Sequence, residues 1–183
     1  TLILAPRAAV SQRLRLACLL LKNAPDDPAW GQIGQDLSQW LLSVTAEETT
    51  IWAAQLHPMR DRILPHLPGT RLQFSAMDSD QANRATIARA TFLRENHDAL
   101  LGLLEEVNNE DIRVVIESLR NLQDRVLSRL SNKVEQFLSQ SAKGDPVGAT
   151  NGRRAARYAI ALLAFTDGAT DSLCWDMLKF QPD

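Results

Sequence analysis

Apolar residues recur at steps of three and four along almost the whole chain, and this periodicity constrains the fold more than any single residue does. Trp30, Ile33, Leu37, Trp40 and Val44 trace one stripe; Val115, Leu119, Leu122, Val126, Leu130, Val134 and Phe137 trace another. Such steps put side chains on one side of a 3.6-residue helix, whereas a half-buried strand alternates by two. Leucine and alanine, both strong helix formers, supply 51 of the 183 residues, against 8 Gly and 8 Pro. The pattern predicts an all-α chain of six to eight helices, in a globular helical bundle or in two packed helical subdomains. At 45% apolar and 23% charged residues the chain has the material for a core and is not a disordered polyelectrolyte.

Along the chain, Pro6 opens a first helix that runs to about Asn23, before Pro25 and Pro28. Val10, Leu14, Cys18 and Leu21 share one side, and Leu16, Leu19 and Leu20 make the remaining sides apolar as well. Apolar character on most sides predicts a central helix. A second helix follows from Asp27. Thr45-Ala-Glu-Glu48 has the form of a capping box and starts a third. Pro58 and Pro65 interrupt the helical pattern beyond Leu56. Residues 65–78 therefore read as a connection between an N-terminal subdomain, 1–64, and a C-terminal bundle, 79–183, which can also pack as a single domain.

In the second half a helix starts at Asp78 or Ser79, and Asn96 either restarts it or sits as a lone amide among apolar neighbours. The longest helix is predicted from Asp111 to about Gln140. Its apolar stripe has a mean step of about 3.7, nearer a straight helix than the 3.5 of a supercoil. Ser141–Thr150 reads as a loop, Asn151 onward as a helix rich in alanine, and Thr166-Asp-Gly168 as a hinge before an apolar terminus from Leu173 to Phe180.

Few residues suggest chemistry. His57, His66 and His97 never fall at ligand spacing; His57 and Asp61 would meet only if the helix survived Pro58. The repeat Gly144, Gly148, Gly152 lacks the Gly-Lys-Ser/Thr ending of a phosphate loop. Cys18 and Cys174 read as buried free thiols, and no metal or cofactor is implied. Arginines are interleaved with acids along the helices, which argues against nucleic acid. No run is long enough to span a membrane. The sparse cysteines set an intracellular, cytoplasmic location as the expectation. The start at Thr1 fits a processed chain or a domain cut from a longer protein.

Two groups of residues stand out. Arg153, Arg154 and Arg157 crowd the start of the last predicted helix, where the macrodipole opposes cations, and their guanidinium forks suit an acidic partner or an anion. Trp30, Trp40, Trp52 and Phe92 could line an apolar pocket or groove. The stretch Ala155-Ala-Arg-Tyr-Ala-Ile-Ala-Leu-Leu-Ala-Phe-Thr-Asp-Gly168, with the apolar run to Leu178, resembles the last helices of TetR-type regulatory domains. That resemblance implies a dimeric four-helix interface beside a ligand pocket. The first 60 residues lack that family's DNA-reading helix-turn-helix. The sequence thus points to a non-enzymatic interaction or assembly domain of a larger protein, binding another chain or itself. The alternative is a dimeric regulatory domain that senses a small apolar molecule between its helices.

Overall fold

In the computed structural model, which describes residues 7–25, 27–28, 30–141 and 146–166, ten α-helices and no strand are present. They are α1 (Arg7–Asn23), α2 (Trp30–Ser43), α3 (Ala46–Gln55), α4 (Arg60–Ile63), α5 (Arg71–Ser75), α6 (Ser79–Leu93), α7 (His97–Glu106), α8 (Ile112–Leu119), α9 (Gln123–Ser141) and α10 (Pro146–Thr166). The all-α reading holds; the expected six to eight helices are exceeded for two physical reasons. The stretch beyond Leu56, expected to break at Pro58 and to run on as a connection over 65–78, holds two short helices, α4 and α5, with Pro58 and Pro65 each in a 3-10 turn, His57–Met59 and Leu64–His66. The predicted longest helix is split by another 3-10 turn at Arg120–Leu122. Its first part, α8, buries Ile112, Val115, Ile116 and Leu119 and packs beside α7, whereas α9 packs along α10.

The chain separates into two compact units, Thr1–Leu93 and Arg94–Asp183. The division falls after α6, later than the 65–78 connection, because α6 packs against α2 and α3 and gives Ala88 and Phe92 to the first unit's core. The connection itself holds α5, closed by a second capping box between Thr70 and Gln73, with Phe74 buried.

Local signals start α3 and α7 where expected. Thr45 accepts from the Glu48 amide while the Glu48 carboxylate accepts from the Thr45 amide, and the other oxygen of Glu48 accepts from the Ser11 hydroxyl of α1 at 2.7 Å. The two helices are therefore tied by the same carboxylate that caps α3. Asn96 restarts the chain as the N-cap of α7, its side chain accepting from the Ala99 amide at 3.1 Å. The predicted 141–150 loop is shorter than expected, since Pro146 opens α10 as an N-terminal proline can. Pro6, Gly144, the 166–168 hinge beyond Thr166, Cys174 and the 173–180 terminus lie outside the described residues.

In the first unit Val10, Leu14, Ala17 and Leu21 of α1 meet Leu37 and Leu41 of α2, Leu56, Met59 and Ile63 in one apolar cluster. Gly34 is where α2 meets α4: a Cβ there would collide with the Arg62 carbonyl oxygen. Gly102 of α7 faces open space. Gly34→Ala is expected to destabilise the protein by about 1–3 kcal/mol, because backbone must move to admit the methyl group. Gly102→Ala is expected to stabilise it by up to about 1 kcal/mol through helix propensity. Chemical denaturation of the two variants beside the parent checks both signs.

Candidate functional site

The arginines singled out in the sequence do not form one cationic surface. α10 begins at Pro146, so Arg153, Arg154 and Arg157 lie about two turns or more inside it and do not oppose its own dipole. Arg157 is buried, 3% exposed. Its Nη1 donates to the Leu104 and Glu105 carbonyl oxygens at 3.1 and 2.8 Å, and its Nη2 to Asn109 Oδ1 at 2.8 Å. These carbonyls belong to the last turn of α7, the negative end of that helix's dipole. The guanidinium seals a helix end, and its hydrogen bonds are spent inside the protein.

Arg154 and Tyr158 extend the same tie. The Arg154 Nε stands 3.2 Å from Glu105 Oε2, and its guanidinium lies over the Phe137 ring of α9 at 5.7 Å. The Tyr158 hydroxyl donates to Glu105 Oε1 at 2.6 Å and lies 3.1 Å from the Leu101 carbonyl oxygen, while its ring stacks on Phe137. Burial, reinforced by the Glu105 carboxylate, pushes the tyrosine pKa far above its ordinary 10.0. Arg153 alone of the three arginines remains exposed.

The four aromatic residues all belong to the first unit and to the surroundings of its apolar cluster. Trp30 and Phe92 are buried members of its apolar cluster, and Trp40 and Trp52 pack against it partly buried. The Trp30 indole N–H donates to the Ala24 carbonyl at 2.7 Å, which fixes the entry to α2. Trp40 carries the Arg13 guanidinium at 5.7 Å from its ring centroid. The Trp52 indole nitrogen is buried with no hydrogen-bond partner.

Sequence reasoning missed the surface that stands out most. Leu16, Leu19 and Leu20 of α1, expected in a central helix, are 58%, 52% and 58% exposed. Val10, Leu14, Ala17 and Leu21 are buried and Cys18 packs partly buried beside them, an inward face that leaves out three of the helix's leucines. Residues 16, 19 and 20 are neighbours on a helix, so the three form one outward apolar face. The signal was present in the sequence: Arg13 and Arg15 among the leucines place charge on sides that a central helix would bury.

Histidine chemistry gains no cluster. Arg60 lies beside both His57, at 3.4 Å, and Asp61, at 3.6 Å, and among the described residues no group of three or more His, Cys, Asp or Glu is placed to hold a metal ion. Cys18 is a partly buried free thiol whose pKa burial raises. No described helix is long and apolar enough to cross a membrane.

Two measurements test the tie between α7 and α10. Arg157→Lys is expected to cost about 2–3 kcal/mol in chemical denaturation, since an ammonium cannot reproduce the fork that serves three acceptors. Arg153→Glu is expected to change stability by less than about 0.5 kcal/mol. Tyr158 is the chain's sole tyrosine, so tyrosinate absorbance reports it alone. The folded state holds the phenol proton more tightly than the unfolded state does, so this contribution is full below about pH 10 and declines above it. In an alkaline titration tyrosinate is expected to appear only with unfolding, and Tyr158→Phe to lose the stability difference between pH 9 and pH 11 that this proton supplies.

Compared with protein-family models, with curated proteins and with solved structures, the chain finds no match.

Proposed function

We propose that this chain is a non-enzymatic interaction domain that uses a helical surface to bind another protein chain. The observation that carries this reading is the leucine face of α1, with three large apolar side chains more than half exposed on adjacent turns of one helix. Completing the burial of each would contribute roughly 1 kcal/mol. Grouped apolar exposure of this kind is a mark of interaction surfaces, whereas scattered leucines are ordinary. The buried arginine of α10 supports the same choice of surface, because Arg157 is engaged internally and α1 is left as the stronger candidate.

A second reading, a dimeric sensor of a small apolar molecule, draws on Trp52, whose buried indole N–H has no partner in a cluster that also holds Trp30, Trp40 and Phe92. Native mass spectrometry of the protein gently purified from its own cells separates the two. The interaction domain is expected in an assembly heavier than the 20.4 kDa chain. A chain carrying extra mass on the order of a few hundred daltons would favour the sensor instead. A ligand-free single chain would overturn the interaction reading.

A further inference from the structure

We propose that the outer face of α1 docks an acidic amphipathic helix of a partner protein, an inference that rests on the interaction reading and gives the partner its chemistry. Helical geometry sets Leu16, Leu19 and Leu20 at the centre of the exposed face, Arg15 and Lys22 along one edge and Arg13 along the other. All three cations are exposed. Residues 7–23 contain no aspartate or glutamate, although acids outnumber bases 22 to 20 in the whole chain. The charge on this helix is therefore a local departure from the chain's balance.

The leucine spacing is that of anchors i, i+3 and i+4, by which one helix seats on another. Cations on both flanks of an apolar seam occupy the positions that select partner charge in paired helices, so the matching seam carries glutamate or aspartate on its flanks. Two other occupants fit less well. A second copy packing through its own α1 would set Arg13, Arg15 and Lys22 against one another, with no acid on either helix to relieve them. A lipid surface favours a long apolar face with aromatic residues. This stripe has neither, and it ends at exposed Gln12 on one side and Asn23 on the other.

The test uses the full chain and three probes: a synthetic helical peptide with a leucine seam flanked by glutamates, the same peptide with lysines in place of the glutamates, and vesicles of anionic phospholipid. The glutamate peptide is expected to bind, more weakly as salt is raised, and the lysine peptide is not. Leu16→Gln/Leu20→Gln is expected to weaken binding about tenfold or more, with the thermal midpoint unchanged because both side chains point outward. Arg15→Glu/Lys22→Glu is expected to reverse the preference between the peptides. Equal binding of both peptides, binding indifferent to the leucine substitutions, or binding of vesicles without the glutamate peptide would each overturn the proposal. So would a dimer of this chain that the leucine substitutions abolish, since the occupant would then be a second copy. An assembly from cells that survives the leucine substitutions would sink the α1 proposal and leave the interaction reading standing. The lack of any assembly would sink that reading itself.

Discussion

Arginine side chains that hydrogen-bond to the ends of helices supply a constraint on which much of this structure depends. A helix that stops leaves its last carbonyls without intrahelical partners, and a chain of many helices with short connections meets that cost repeatedly. In the first unit α6 supplies two donors: Arg84 Nε reaches the Leu42 carbonyl oxygen at 2.7 Å, near the end of α2, and Arg89 Nη1 reaches Leu67 O at 3.1 Å and Leu64 O at 3.3 Å. In the second unit α10 supplies Arg157 to the end of α7. Each contact sets register as well as satisfying acceptors, because a guanidinium shifted by one turn would miss its carbonyls. Burial lowers the pKa of Arg89, the electrostatic cost of holding a cation there. A planar fork able to serve two carbonyls at once fits the chain's use of 16 arginines against 4 lysines.

That use of charge changes how the arginines of the sequence should be weighed. Arg154 and Arg157 fall near each other as a cationic cluster would, but one pairs with Glu105 and the other is enclosed among backbone oxygens. Cations committed to helix ends hold the fold in register. The cations of α1 that flank the leucines have a different setting. Arg15 and Lys22 lie exposed on a helix without acids, and Arg13 is drawn over the Trp40 ring. The same residue type thus stands in two settings, separated by whether a carbonyl from a neighbouring helix end lies within reach.

What could be read from the sequence was mainly what is local. The capping box at Thr45 and Glu48 links residues three positions apart, as does the Asn96 cap, and both are present in the structure. The Thr70–Gln73 box has the same form and was equally legible, but the flanking Pro65 and Pro68 favoured reading an irregular connection instead. Contacts distant in sequence were beyond reach. Arg157 finds Leu104 across 53 positions and Arg84 finds Leu42 across 42, and no periodicity encodes either pairing. The break at Arg120–Leu122 was hidden for a related reason: the apolar stripe continues through it, while the helices it must meet change. The aromatic grouping of Trp30, Trp40, Trp52 and Phe92 was legible as a suspicion, and its packing around one cluster needed the fold.

The rotation of α1 about its own axis decides which residues it offers to solvent, and three independent contacts fix that rotation. Val10, Leu14, Ala17 and Leu21 enter the core, the Ser11 hydroxyl donates to Glu48 at 2.7 Å, and the Arg13 guanidinium lies over Trp40. These constraints occupy the inner face and one edge, so the helix has little freedom to turn Leu16, Leu19 and Leu20 inward. Turning them inward would expose the four core residues and break both polar ties, a net loss. The outward leucines are therefore a consequence of a well-anchored inner face, and an apolar face held rigid before binding loses less conformational entropy when a partner arrives. Exposure on a loose helix would signal poor packing; exposure on a helix pinned by packing, hydrogen bond and cation–π contact marks a surface that the fold holds in place.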